Sequence, residues 1–173
     1  MRVYLDGGAT PVCTTTASSG GAWSCTSSTL ADGLRSATAT ATDAAGNLSA
    51  VSTARTFTVD TTTTVAFTAP ASGATVASAT PTLSGTGENG ATVVVKEGAT
   101  TRCSATVSGG VWSCVSSSMT DGAHSLTATA TDAVGNTASA SRSFSTDTVT
   151  TVTITAPAAG VTLATATPTV SGT

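Results

Sequence analysis

The sequence predicts an all-β protein made of tandem sandwich repeats, and three observations carry that prediction. The first is alternation. In Ser36-Ala37-Thr38-Ala39-Thr40-Ala41-Thr42, and again in Ser125-Leu126-Thr127-Ala128-Thr129-Ala130-Thr131, apolar residues alternate with hydroxyl residues. That is the period-2 pattern of a strand with one buried and one wet face. The second is repetition: both runs end in Asp-Ala-x-Gly-Asn, and Asp43 and Asp132 stand 89 positions apart. The third is punctuation, with Gly, Asn and Asp turn signals recurring roughly every 8–12 residues. No apolar 3.6-period stripe lasts more than a turn, so helix is not expected anywhere.

Composition narrows the classes further. Of 173 residues only 9% are charged and 3% aromatic, the net charge is −3, and Thr, Ser, Ala and Gly dominate. Disorder normally couples high net charge to low hydrophobicity, whereas the mean hydropathy here is +0.25. β-Branched threonine suits a pleated, half-buried surface, so short strands around a modest core are the natural outcome. The six basic residues are scattered, which leaves no electrostatic footprint for nucleic acid. No apolar run approaches the ~18–20 residues that cross a bilayer as a helix, so no membrane insertion is expected. Met1 is followed by a strand-like segment and not by a basic and an apolar region, so no signal peptide is read here.

The repeat defines the elements. Trp23 matches Trp112 and Asp32-Gly33 matches Asp121-Gly122 at an offset of 89; Arg55, Phe57 and Asp60 match Arg142, Phe144 and Asp147 at 87. Residues 81–86 (PTLSGT) match 168–173 (PTVSGT) at 87, and Val3 and Leu5 match Val93 and Val95 at 90. One complete unit occupies 61–148, with strands expected at 65–69, 79–86, 91–97, 101–107, 110–116, 123–131 and 137–146. Seven short strands at this spacing predict an immunoglobulin-like β-sandwich. Residues 1–60 then form a partial domain without its first two strands, and 149–173 a partial domain holding only those two. A half-sandwich with an open edge is not expected to persist alone. Two explanations stand: the chain is a piece of a longer array, or residues 149–173 of one subunit complete residues 1–60 of the next by strand complementation.

The four cysteines pair within each repeat, Cys13 with Cys25 and Cys103 with Cys114. Ser108-Gly109 is expected as a two-residue hairpin loop and Ser18-Ser19-Gly20 as a three-residue one, which would set each cysteine pair directly opposite. Closing a loop of about a dozen residues contributes roughly 3 kcal/mol on the chain-entropy model. The chain has no C-x-x-C, which disfavours zinc or redox chemistry. Disulfides imply an oxidising compartment, hence an extracellular or cell-surface location. Trp112 shares a face with Cys114 and is expected across from Ala105, as a core anchor facing Phe144, Leu126 and Val93; Trp23 is its twin.

Carboxylates are the remaining candidates. An up-and-down path gathers the 87–90 and 132–136 turns at the pole where the chain enters the second domain. Asp60, in the preceding linker, then joins Glu88 and Asp132, with Asn89 and backbone carbonyls, in an oxygen cage suited to Ca²⁺; Asp32 is expected nearby. Calcium is the one cofactor the sequence suggests. Against it, Asp32 is also an ordinary turn residue before Gly, and Asp132 also caps its turn through its own backbone. His124 is the only histidine and its counterpart is Arg35, so no His-dependent triad or metal site recurs. Asn47-Leu48-Ser49 fits a glycosylation sequon that its partner 136–138 lacks.

Residues 79–93, the Asp-Gly before 123–131, the Thr-Ala-Thr-Asp-Ala-Val-Gly-Asn run at 129–136 and the Phe-x-x-Asp-Thr runs at 57–61 and 144–148 resemble the bacterial Ig-like repeats that build the stalks of large secreted adhesins and biofilm-associated surface proteins. The resemblance implies interdomain calcium at positions matching Asp60, Glu88 and Asp132, although paired cysteines are not typical of such repeats. It implies a non-enzymatic structural module of an extracellular stalk or filament, whose partners are neighbouring repeats or identical subunits arranged head to tail. The alternative is a binding module of a calcium-dependent adhesin that contacts host or matrix ligands. That would call for a long aromatic-bearing loop at one pole, and no such loop is visible.

Overall fold

A computed structural model describes all 173 residues and contains no helix. The chain divides into two compact units, Met1–Thr62 and Thr63–Thr173. In the first, β1 (Arg2–Leu5), β2 (Cys13–Thr14), β3 (Gly33–Thr40) and β4 (Arg55–Val59) make one sheet in the order β2-β1-β3-β4. No second sheet lies over it.

The second unit holds β5 (Val65–Ala69), β6 (Thr75–Val76), β7 (Thr82–Gly87), β8 (Thr92–Glu97), β9 (Thr100–Thr106), β10 (Val111–Val115), β11 (Gly122–Thr131) and β12 (Thr137–Thr146). They form a three-stranded sheet, β10-β7-β5, and a five-stranded sheet, β6-β12-β11-β8-β9. The fold class is therefore the expected all-β sandwich. Alternation does the work: His124, Leu126, Ala128 and Ala130 of β11 are buried while the residues between them face outward. They meet Val93 and Val95 from β8 and Phe144 from β12, and the opposite sheet supplies Phe67, Leu83 and Trp112 to the same cluster.

Three features depart from the sequence reading. First, β9 and β10 are not a hairpin. They lie in different sheets and share no ladder beyond the Ser108–Val111 bridge at the turn, and the Cys103–Cys114 disulfide (Cα–Cα 6.0 Å) joins the sheets. Trp112 accordingly sits across from Gly85, not Ala105. The tight turn at Gly109 and Gly110, both at positive φ (61° and 80°), closes that bridge alone, and beyond it β10 forms a five-residue ladder on β7. Second, the chain after β5 crosses sheets, so that β6 runs parallel to β12; the path is not a simple up-and-down walk. Third, β1 is slid by two residues. Val3 pairs with Ala39, whereas Val95 pairs with Ala128, the counterpart of Ala39. Val3 thus stands in for Val95 and not for Val93. Pro11 occupies the place of Thr101 and has no N–H to offer a ladder, so β2 is cut to two residues. A two-residue slip keeps every side chain on its own face.

The last 25 or so residues form a hairpin, β13 (Ile154–Ala156) with β14 (Ser171–Gly172). Its register is that of β5 and β7. Ile154 pairs with Gly172 and Ala156 with Ser171, as Phe67 pairs with Gly85 and Ala69 with Ser84, with the same irregularity between the paired positions.

Candidate functional site

Acidic turns come first. Asp132 ends β11's run, and its Oδ1 accepts the backbone N–H groups of Val134 (2.9 Å), Gly135 (2.7 Å) and Asn136 (2.8 Å). Its Oδ2 accepts the Asn136 amide at 2.7 Å. Asp43 makes the matching turn with Ala45, Asn47 and the Asn47 amide. The Asn47 side chain, helped by the backbone donors, holds the Asp43 carboxyl below the usual range. Partial burial pushes Asp132 up, but its hydrogen bonds to Asn136, Val134 and Gly135 outweigh that and leave it lowered too. Glu88, on the turn after β7, has a carboxylate oxygen within 4.8 Å of one on Asp132. Asn89 turns its Oδ1 to the Gly109 N–H at 2.9 Å. Asp60 is half-buried in the segment after β4.

Asp32 has a different task. It accepts the Thr61 N–H (3.1 Å) and hydroxyl (2.7 Å) and the Thr62 hydroxyl (3.0 Å), clamping the chain that leaves β4. Those bonds, the Thr61 hydroxyl foremost, lower its pKa. Asp121 clamps Thr148 in the same way.

Two matching acid–base contacts are absent from the sequence reading. Arg35 of β3 donates to Asp6 Oδ2 (3.1 Å) and to the Ala31 carbonyl (2.7 Å). At the matching place in β11, His124 faces Glu97 Oε1 (2.8 Å) and the Thr120 carbonyl (2.8 Å). His124 thus links Glu97 to the Thr120 carbonyl as Arg35 links Asp6 to the Ala31 carbonyl. Arg102 also donates to Glu97. Burial raises the Glu97 carboxyl, while His124 and Arg102 together bring it below its ordinary value. The acids stand just after β1 (Asp6) and at the end of β8 (Glu97), with Arg35 and His124 lying 29 and 27 residues on, at matching places in the repeat. Thr146 completes a hydroxyl–imidazole–carboxylate chain, but it is buried and its hydroxyl donates to the Thr120 carbonyl. The set fastens the 116–122 segment to the five-stranded sheet.

The largest unpartnered feature is the open face of the first unit. Trp112 is 2% exposed, whereas Trp23, expected as the core anchor of its own copy, is 41% exposed. Phe57 is uncovered in the same way while Phe144 is buried. The reason is topological: Trp112 is covered by β5 and β7, and residues 1–60 contain no equivalent of either. Residues 22–26, the counterpart of β10, consequently form no strand and are tied to β2 by the Cys13–Cys25 disulfide. Val3, Leu5, Trp23, Cys25, Ala37 and Phe57 line an apolar groove of about 260 Å³. The hairpin β13–β14 is uncovered in complementary fashion: Ile154 is 72% exposed where Phe67 is 7%, and Val170 is exposed where Leu83 is fully buried.

A family model described as "Bacterial Ig-like domain" matches residues 1–61 and 69–148. No curated protein matches the chain. Among solved structures, CopC from Methylosinus trichosporium OB3b is similar to part of it, at 11% identity over 49% of this chain and 94% of that one, with a TM-score of 0.37. A likeness at that level carries no argument.

Proposed function

The chain belongs to the bacterial Ig-like domain family, and from that premise we propose that it is a structural module of an extracellular stalk or filament whose copies join head to tail. Residues 149–173 of one copy supply the two strands that complete residues 1–60 of the next. The observation that supports this is the matched pair of uncovered surfaces, one lacking the equivalents of β5 and β7 and the other being a hairpin already in their register. Strand addition of this kind satisfies an open edge and buries both apolar faces at once. Each joint is heterologous, so joining repeated without closure makes a filament. Domains of this family are typically non-enzymatic, and the two disulfides favour an oxidising location.

Light scattering and negative-stain microscopy across a dilution series test the assembly. The expected result is a mass that climbs with concentration and threads that lengthen with it. A chain that holds its 16.5 kDa mass at every concentration overturns head-to-tail joining and leaves a spacer within a longer array.

Calcium at Asp60, Glu88 and Asp132 is the second part of the proposal, supported by the proximity of the Glu88 and Asp132 carboxylates and by the all-oxygen donor set. The ion would stiffen the joint between modules. Millimolar Ca²⁺ should raise the melting temperature of the wild type and not that of Glu88→Gln. An equal response, or none, removes the site.

A further inference from the structure

We propose that Trp23 is the residue that recognises the incoming strand. It does so by closing its ring over Gly172 of a second copy and donating its indole N–H to the carbonyl of Thr173 there. The inference rests on the strand-donation reading above and names the contact that makes it selective.

The second unit contains the finished version of the joint. Trp112 pairs across from Gly85 in the ladder between β10 and β7, and its Nε1 donates to the Thr86 carbonyl at 3.1 Å. A Cβ on Gly85 would lie 2.5 Å from Trp112 Cε2 and 1.8 Å from the Ala66 carbonyl oxygen. The tryptophan therefore occupies the space that any other residue at 85 would need. Phe67 meets the ring edge-on, with centroids 5.3 Å apart.

Each partner recurs at the proposed joint, divided between two places in the chain. Trp23 stands where Trp112 does, beside a disulfide that holds its segment near β2, and its face is open. Gly172 stands where Gly85 does, and a Cβ on it would already lie 1.8 Å from the Thr153 carbonyl oxygen within its own hairpin. Ile154, opposite Gly172, takes the place of Phe67. The repeat thus sets the register of the incoming strand: Trp23 opposite Gly172, Cys25 opposite Val170. A strand slipped by one residue would bring a side chain under the indole and turn Val170 to solvent. Exposed tryptophan meeting a fitted partner is the usual anchor of a protein interface.

Full-length chains test this. On concentrating the wild type, fluorescence emission should shift to the blue and acrylamide quenching should fall as Trp23 is covered, since Trp112 is buried throughout. Trp23→Ala should raise the concentration midpoint of assembly at least about thirtyfold. Trp23→Phe, which keeps a ring and loses the N–H, should raise it about fivefold. Trp23→Ala still carries a sound hairpin, and Gly172→Val still carries a sound groove. At the wild-type midpoint neither should assemble alone, while an equimolar mixture should stop at a 1:1 pair. That pair also separates lost recognition from general misfolding. If the wild type assembles and Trp23→Ala assembles equally well, Trp23 is not the recognition residue although strand donation stands. If the wild type never assembles, both ideas fall together.

Discussion

Trp112 lies so close over Gly85 that a β-carbon at that position would come within 2.5 Å of the indole ring. The contact crosses from one strand of the three-stranded sheet to its neighbour, and it explains why a sandwich so poor in aromatic residues keeps a closed core. One large ring fills the space beside a residue with no side chain, and the surrounding alanines and valines need only seal its edges.

Gly85→Ala should therefore destabilise the second unit far more than a single methyl group normally would. The carbonyl of Ala66 is backbone and has little room to retreat, so the strand pair must spread. Chemical denaturation should show a loss of about 3 kcal/mol.

The two repeated phenylalanines should behave unlike each other. Phe144→Ala opens a cavity in a closed core and should cost about 3–5 kcal/mol. Phe57→Ala, on the uncovered face of the first unit, should cost less than about 1 kcal/mol in dilute, unassembled protein. Paired denaturant curves for the two variants check this.

Stability should fall toward acid, and Glu97 should account for part of the fall. Its carboxyl is held below its ordinary value in the folded chain. Its contribution is thus complete above the unfolded value near 4.5 and disappears as pH drops through the lower folded value. Asp6, Asp32, Asp43 and Asp132 are shifted the same way from an ordinary value of 3.8 and act in a lower window. Glu97→Gln should give a shallower loss of melting temperature between neutral pH and pH 2–3 than the wild type, on the order of one titrating carboxyl fewer.

His124→Arg should be tolerated and His124→Leu should not. The first unit already places Arg35 at this position, bridging an acid and a main-chain carbonyl. Leucine would leave Oε1 of Glu97 without its His124 partner and take one of two partners from the Thr120 carbonyl, which keeps the Thr146 hydroxyl, a cost of about 1–3 kcal/mol. Thermal unfolding of the two variants at neutral pH measures the difference.

Local chemistry is what the sequence conveyed well. The alternation in 125–131 leaves only a strand with one buried face, the Asp-Ala-x-Gly-Asn runs can only turn, and the repeat announces identical units with paired cysteines. All of that depends on near neighbours or on copies of the same motif, which a chain displays along its length. The Arg35–Asp6 salt bridge and the His124–Glu97 contact are less legible, because an acid and a base 29 or 27 residues apart carry no mark of meeting. Tertiary structure alone decided which sheet each strand joins. Cys103 and Cys114 looked like neighbours on one hairpin, yet β10 crosses to β7 because the ladder and the Trp112–Gly85 contact there outweigh a local turn. The fate of the two tryptophans was decided in the same way. Trp23 and Trp112 sit in nearly identical sequence, and one is exposed and the other buried, since burial belongs to the strands that come to lie on top of a residue and not to the residue itself.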